Sequence, residues 1–219
     1  MDKPMVNFTV DPARTALLNV DMQNCFVEGY PISAPKGTEV LARINRLIDV
    51  CRDARIKIIH TAHVVRPDGS NIGVLGEIIP PVKHEGVINE GSVSAALHKG
   101  LNTKAADIVL KKPRFGSFHG TDLELILRSN GIDTVIITGI ATNVCCETTA
   151  REANARDFKV FFLSDGTTTF PMNGVSAEDL QRVTCTTLGF AFAEVLTVDQ
   201  MIGKIRAGSA AAASRTAAE

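Results

Sequence analysis

Three residues of complementary chemistry stand where the chain is predicted to leave a strand. Asp21 closes an apolar run, where partial burial of a carboxylate favours acid–base work. Lys112 follows another apolar run and could hold an anionic carboxylate; Lys111 is the alternative, since neighbours in a strand face opposite sides. Cys145 lies at a strand-to-helix turn, where the helix dipole and free backbone N–H groups are expected to lower the pKa of a thiol.

Each of these residues also has a structural explanation when taken alone. Asp21 could cap a turn, Lys112 could be a solvated loop charge, and Cys145 could be a small buried side chain. Cys146 lies about 100° further round the predicted helix and suits that last role better. Taken together, a base, a cation and a thiol at three strand ends have the composition of an activated nucleophile.

The composition excludes several other classes of protein. The 219 residues carry a net charge of −1, so a basic surface for nucleic acid is not expected. No apolar run reaches the roughly 20 residues needed to span a membrane. The five cysteines are odd in number and form no CxxC pair, which favours free thiols and a cytoplasmic location.

The elements that must position these residues alternate between short apolar runs and amphipathic segments. The predicted strands are Thr15–Asp21, Ile56–Thr61, Asp107–Leu110, Thr134–Thr138, Lys159–Leu163 and Glu194–Val198. Apolar strands separated by helices predict an α/β three-layer sandwich with a parallel sheet, in one domain over residues 1–206. Residues 64–106 interrupt the alternation of apolar runs and amphipathic segments, and are interpreted as an insertion over the active-site edge or at a subunit contact. The Ala/Ser-rich residues 207–219 are predicted to be a disordered tail.

Three stretches resemble the isochorismatase-like cysteine hydrolase family: LLNVDMQNCF, LKKPRFGSFHGTDLELILRSNGI and TVIITGIATNVCCETTAREA. The resemblance implies a Rossmann-like fold with a central six-stranded parallel sheet, which agrees with the strand count. It implies Asp21 as the base, Lys112 as the orienting cation and Cys145 as the nucleophile. It also implies a cis peptide between Ile140 and Ala141, with the N–H groups of Ala141 and Cys145 forming an oxyanion hole.

Two differences between this sequence and particular members of the family narrow the predicted activity. Isochorismatases proper lack the nucleophilic cysteine, so Cys145 points to C–N hydrolysis. Nicotinamidases carry a metal site on an Asp-x-His element, where this chain has Thr61-Ala62-His63, so no metal and no other cofactor are expected. The run KPRFGSF…ILRSNGI…TGIATNVC is most similar to ureidoacrylate amidohydrolase-type enzymes.

The sequence therefore predicts a cysteine-dependent amidohydrolase. Its expected substrate is a small linear amide, ureido or carbamoyl compound, cleaved through a thioester intermediate. The alternatives are a nicotinamidase-like amidase acting on an aromatic amide, a thiol-redox protein using Cys145 and Cys146, and a non-catalytic protein on the same fold.

Further residues are candidates for binding the substrate, and the family suggests a homo-oligomer, either a dimer or a tetramer. Either Arg66 or Arg114 could pair with a substrate carboxylate. The full set of substrate-binding candidates is Asn24, Phe26, Tyr30, Arg66, Phe118, His119, Thr142 and Asn143.

Overall fold

Six parallel strands form one sheet in the computed structural model, which describes residues 6–216. The strands are Thr15–Val20 (β1), Lys57–His63 (β2), Ile108–Lys112 (β3), Thr134–Ile140 (β4), Lys159–Thr168 (β5) and Glu194–Leu196 (β6). Their order across the sheet is β3-β2-β1-β4-β5-β6, and every neighbouring pair is parallel. The order reverses between β1 and β4, and ligands of open α/β sheets bind outside the carboxyl ends of the strands at such a point.

Helices connect the strands and cover both faces of the sheet. They are Asn24–Val27 (α1), Gly37–Asp53 (α2), Leu75–Ile78 (α3), Pro80–His84 (α4), Leu123–Ser129 (α5), Glu147–Asn154 (α6), Ala177–Ala191 (α7) and Val198–Thr216 (α8). A 3₁₀ turn at Pro12–Arg14 precedes β1, and a π-helical turn at Thr142–Cys146 leads into α6.

Alternation along the buried strands divides the core into two apolar layers. Leu17 of β1 packs in the layer that includes α2 and α8, whereas Leu18 packs in the layer that includes α5, α6 and α7. Burial of both faces requires strands that are apolar throughout, as all six residues of β1 are buried. The predicted three-layer α/β fold with a six-stranded parallel sheet is confirmed.

The strands extend further at their carboxyl ends than their apolar runs indicate. β2 continues to His63, β3 to Lys112 and β5 to Thr168. The polar residues at these ends interrupt the hydrophobic pattern but keep the ladder of backbone hydrogen bonds. His63 and Lys112 are thus held by regular strands and paired with each other in register.

The carboxyl terminus differs from its prediction as a disordered tail. Helix α8 covers residues 207–216 of the predicted tail and continues through Thr216, and residues 217–219 lie outside the described part of the chain. Alanine has the highest helix propensity, which explains why an Ala-rich segment without apolar periodicity continues the helix. Gly208 also packs closely on the chain before β1, since a Cβ there would lie 2.2 Å from the carbonyl oxygen of Val10.

Residues 64–106 contain two short helices, α3 and α4, and little other regular structure. Isolated bridges join Val65 to Asn89 and Gln23 to Leu97, so the segment is tied to itself and to the loop after β1.

Within residues 6–216, no helix is both long enough and apolar enough to cross a membrane.

Candidate active site

The carboxyl end of the sheet brings Asp21, Lys112 and Cys145 together. Asp21 follows β1 in the left-handed region, with a φ of 52°. That conformation costs about 1 kcal/mol or more for a residue other than glycine, and aspartate tolerates it better than most. Strained backbone of this kind is typical of functional sites, where surrounding contacts hold it in place.

Asp21 and Lys112 form a fully buried ion pair. Lys112 Nζ lies 2.6 Å from Asp21 Oδ2, and neither side chain is exposed to solvent. The hydroxyl of Thr61 donates to Asp21 Oδ1 over 2.6 Å. Asp21 Oδ2 accepts no further hydrogen bond from residues 6–214, so this oxygen can still receive a proton.

The backbone after β3 fixes the Lys112 ammonium. Nζ donates to the carbonyl oxygens of Arg114 and Phe115 over 3.0 and 2.9 Å. Burial, the largest single cause, would lower the pKa of Lys112, but the Asp21 carboxylate together with Cys145 and Cys146 raises the pKa above its ordinary value. Lys112 therefore remains a cation at neutral pH.

Alternation along β3 separates the two consecutive lysines, as the sequence predicts. Lys111 points outward and forms an exposed ion pair with Glu90, with Nζ 2.6 Å from Oε1. Lys112 points inward to Asp21. The two residues have the same charge but opposite environments, which makes Lys111 a natural control for experiments on Lys112.

The end of β4 packs directly against the end of β1 because Gly139 has no side chain. A Cβ at Gly139 would lie 2.0 Å from the carbonyl oxygen of Val20, and its φ is +123°. This close approach places the turn after β4 beside Asp21. The peptide bond between Ile140 and Ala141 is cis.

Cys145 is held by the π-helical turn that follows this bond. The N–H of Cys146 donates to the carbonyl oxygen of Ala141 over 3.1 Å, which is the i→i−5 bond of a π turn. Single π turns are frequent at functional sites. Cys145 Sγ, a carboxylate oxygen of Asp21 and a ring nitrogen of His63 all lie within 4.8 Å of one another.

The pKa of Cys145 differs from the sequence prediction. Burial raises the pKa of this thiol to about 12, whereas the Lys112 ammonium and the Ala141 N–H act in the opposite direction. The prediction that the helix end lowers the pKa of Cys145 is wrong, because desolvation of the thiolate outweighs that effect. The resting residue is a thiol at neutral pH, so a base must remove its proton before it can attack.

Cys146 faces the interior and not the ligand site. Its side chain is completely buried, and Sγ donates to the carbonyl oxygen of Thr138 over 3.8 Å. Burial and the nearby Cys145 raise the pKa of Cys146 well above its usual value. Cys146 is therefore a packing residue with a weak hydrogen bond.

His63 adds a neutral ring to the site. Burial and the Lys112 ammonium lower the pKa of His63 to about 4, so the ring carries no charge at neutral pH. Its Nε2 has no hydrogen-bond partner within residues 6–214. The ring packs edge-on against Phe115, with centroids 5.5 Å apart.

A cavity of about 350 Å³ opens above Cys145. This volume is at the lower end of the roughly 300–1,000 Å³ that is usual for small-molecule sites. Two larger clefts, of about 430 and 520 Å³, are lined by neither Asp21, Lys112 nor Cys145. The cavity is lined by Phe26, Ile32, His63, Ile79, Val82, Ile88, Phe115, Ile140, Ala141, Val144, Cys145, Phe170 and Met172.

One of the eight predicted substrate-binding residues, Phe26, lines this cavity. The other seven lie outside its lining: Asn24, Tyr30, Arg66, Phe118, His119, Thr142 and Asn143. Most of them have other partners. Asn24 donates to the carbonyl oxygen of Val93, Phe118 packs on Phe158, and Arg66 and His119 are exposed.

Thr142 and Asn143 act behind the cavity wall. The Thr142 hydroxyl donates to the side chain of Gln181 in α7. Asn143 accepts a hydrogen bond from the Thr169 hydroxyl over 2.6 Å and donates to the sulfur of Met172 over 3.4 Å. These residues hold the turn and one wall residue, and do not themselves face the ligand space.

Several residues of the site have no counterpart in the sequence prediction. Ile79, Val82 and Ile88 belong to the segment 64–106, and Phe170 and Met172 follow the polar end of β5. Ile79, Val82 and Ile88 could have been found from the sequence, because they are apolar residues in a segment otherwise rich in Gly, Pro and Asn. The role of Phe170 and Met172 depends on the extended β5, which the hydrophobic pattern does not reveal.

Asp21, His63 and Cys145 also form the one group within residues 6–214 whose spacing could hold a metal ion. The group fits an ion poorly. One carboxylate oxygen of Asp21 is held by Lys112 and the other by Thr61, so its charge is already neutralised. The ion would also lie close to the Lys112 ammonium.

A buried carboxylate, ammonium and thiol beneath a cavity at the switch point of a parallel sheet are the groups of a nucleophilic hydrolase. The isochorismatase domain profile matches residues 15–200, and the chain belongs to this family of hydrolases.

The curated relatives include two amide-cleaving enzymes with the same sequence identity to this chain. Nicotinamidase 3 of Arabidopsis thaliana is 32% identical over 188 residues, covering 85% of this chain and 86% of that protein. Ureidoacrylate amidohydrolase RutB of Methylorubrum extorquens is 32% identical over 177 residues, covering 72% and 71%. The crystal structure of a cysteine hydrolase from Pseudomonas syringae pv. phaseolicola aligns with a TM-score of 0.91 at 33% identity, over 95% of this chain and 100% of that one. Sequence identity therefore does not choose between the amide substrates of the relatives.

Proposed function

We propose that this protein is a cysteine-dependent amidohydrolase that cleaves the C–N bond of a small linear amide, ureido or carbamoyl substrate. One observation carries the proposal: beneath a cavity of about 350 Å³, Cys145 Sγ lies within 4.8 Å of the Asp21 carboxylate, which is itself 2.6 Å from Lys112 Nζ. A thiol, a base and a fixed cation at this spacing form a system for nucleophilic catalysis.

The first half of the reaction transfers the acyl group to Cys145. Asp21 accepts the thiol proton, and the thiolate attacks the substrate carbonyl carbon. The tetrahedral intermediate then collapses, the C–N bond breaks, and the leaving amine takes the proton from Asp21. Because burial raises the pKa of Cys145 to about 12, the resting residue is a thiol and the reaction begins with transfer of its proton to Asp21.

The oxyanion of the tetrahedral intermediate rests on the backbone N–H groups of Ala141 and Cys145. Removing one such donor typically costs about 3 kcal/mol of transition-state stabilisation. The position of Ala141 at the cavity wall, next to Cys145, supports this assignment. Backbone donors fixed by a π turn need no rearrangement when the charge develops.

The second half of the reaction hydrolyses the thioester. Asp21 accepts a proton from water, the hydroxide attacks the acyl carbon, and the thiolate leaves and recovers the proton. Lys112 keeps Asp21 ionised and oriented in both halves. Its two hydrogen bonds to the carbonyl oxygens of Arg114 and Phe115 hold the ammonium in place throughout.

We also propose a cytoplasmic homo-oligomer, a dimer or tetramer. All five cysteines are free, which suits a reducing compartment. Light scattering of the purified protein measures the mass of the particle directly, and a mass near 23.4 kDa would contradict the oligomer.

The proposed activity is tested by ammonia release from a panel of primary amides and ureas. Wild type is expected to hydrolyse at least one of them, and Cys145→Ala to lose roughly 10⁴-fold or more in kcat. Cys146→Ala is the matched control and is expected to retain activity, because Cys146 faces the core. Equal rates for wild type and Cys145→Ala on every substrate would contradict the proposal.

A further inference from the structure

The cavity above Cys145 is lined almost entirely by apolar residues. Apart from His63 and Cys145, its lining consists of aliphatic and phenylalanine side chains, methionine and Ala141. These come from five separate parts of the chain, so the apolar character belongs to the whole site. A ligand that fills the space must replace water against hydrocarbon on most sides.

None of the residues that line the cavity carries a positively charged side chain. Lys112 is paired with Asp21. The Arg114 guanidinium donates to the carbonyl oxygens of Asn71 and Pro113, and Arg66 is exposed beside Ser70. A substrate carboxylate in the cavity would thus be buried without a cation from the described lining, and burial of an unpaired charge is strongly unfavourable.

His63 provides a polar group with a free lone pair. Its Nε2 has no partner within residues 6–214, although the side chain is only 3% exposed. The ring is neutral because burial lowers the pKa of His63 to about 4. A neutral ring nitrogen can accept a hydrogen bond from a substrate N–H, and it offers no positive charge to a carboxylate.

We propose that the substrate is an uncharged primary amide with an apolar acyl group, and that amides carrying a carboxylate are excluded. This inference rests on the amidohydrolase activity proposed above and names its substrate class. Hydrolysis consumes one water and yields ammonia and the corresponding apolar carboxylic acid. The carbamoyl acids and ureido acids, which carry a carboxylate, fall outside the class.

Two pairs of molecules with the same shape and different charge test this inference. The first pair is 4-methylpentanamide and succinamate, and the second is 3-methylbutylurea and 3-ureidopropanoate. The expected kcat/KM for the uncharged member of a hydrolysed pair exceeds that for the charged member by about 100-fold or more. Equal values, or a preference for the charged member, would overturn the inference and leave the amidohydrolase proposal intact.

A variant that supplies the missing cation tests the same point from the protein side. Met172→Lys places an amine at the cavity wall and is expected to raise kcat/KM for succinamate about 10-fold while lowering that for 4-methylpentanamide. Val175→Lys is the control, because Val175 lies on the same loop, is 43% exposed and is outside the lining. It is expected to change neither value.

The outcomes separate the two proposals. An unchanged preference in Met172→Lys, in a variant that retains measurable amide hydrolysis, would overturn the substrate class. Hydrolysis of neither member of either pair by wild type, with no acyl group found on Cys145, would remove the amidohydrolase proposal and this inference with it.

Discussion

Replacing Lys112 with methionine leaves Asp21 buried without its counter-ion. At 2.6 Å and an effective dielectric constant of about 20, the attraction between the two charges is about 6 kcal/mol. Desolvation of both groups offsets part of this, and breaking a buried pair typically costs about 3–5 kcal/mol. We expect Lys112→Met to lower the free energy of unfolding by that amount at neutral pH.

The pH dependence identifies the cause of this loss. The ion pair contributes to stability only while Lys112 carries its charge, and Lys112→Met removes that contribution. The difference in stability between wild type and the variant is therefore expected to shrink in alkali. In wild type the pKa of Lys112 is raised above its ordinary value of 10.5, so the contribution of its charge is fully present below that pH and is lost as the pH rises through the raised pKa.

Urea unfolding at several pH values, with kinetics on the same samples, measures both effects. Without the Lys112 ammonium, Asp21 loses the contact that orients it as the base, so kcat/KM is expected to fall about 10²–10⁴-fold. Lys111→Met is the matched control and is expected to change stability by no more than about 0.5 kcal/mol. The double variant Asp21→Asn/Lys112→Met should be more stable than Lys112→Met alone. A Lys112→Met protein as stable and as active as wild type would refute the reasoning.

Three further predictions follow from the site. Thr61→Val removes the 2.6 Å hydrogen bond to Asp21. We expect kcat/KM to fall about 10-fold, and the free energy of unfolding measured in urea to fall by about 1–2 kcal/mol. An unchanged kcat/KM would contradict a positioning role for Thr61. Gly139→Ala should lose soluble, active protein because of its φ of +123° and its close contact, whereas Gly203→Ala, with open space around its position, should be as stable as wild type or slightly more so. Alkylation of Cys145 by iodoacetamide in the resting enzyme should increase about tenfold per pH unit through the neutral range, since its pKa is about 12, and a plateau near neutral pH would show a preformed thiolate.

The sheet and the three central residues could be predicted because strand ends are readable in the sequence. Apolar runs locate the strands, and the carboxyl ends of parallel strands meet at one edge, so Asp21 and Lys112 must lie close together. Alternation along β3 predicts that only one of Lys111 and Lys112 faces the interior, and the family resemblance assigns that place to Lys112. The strands follow from local periodicity and one rule of topology, whereas the roles of the three residues rest on the resemblance.

The cavity could not be predicted in the same way, because its walls come from parts of the chain without periodicity. Ile79, Val82 and Ile88 pack over the site from an irregular segment, and Phe170 follows a strand whose last residues are polar. The predicted polar contacts to the substrate were chosen by residue type, and most of those side chains have partners in the protein. The pKa of Cys145 was also out of reach, since it depends on the depth of burial and not on the position along the helix.

The most direct test of the account is to locate the acyl group during turnover. Acid-quenched enzyme with a slowly hydrolysed amide is digested, and the peptide that contains both neighbouring cysteines is fragmented by mass spectrometry. The account predicts the acyl mass on Cys145 in wild type and in Cys146→Ala, and no adduct or turnover in Cys145→Ala. An acyl group on Cys146, or turnover of the same amide by Cys145→Ala at the wild-type rate, would contradict it.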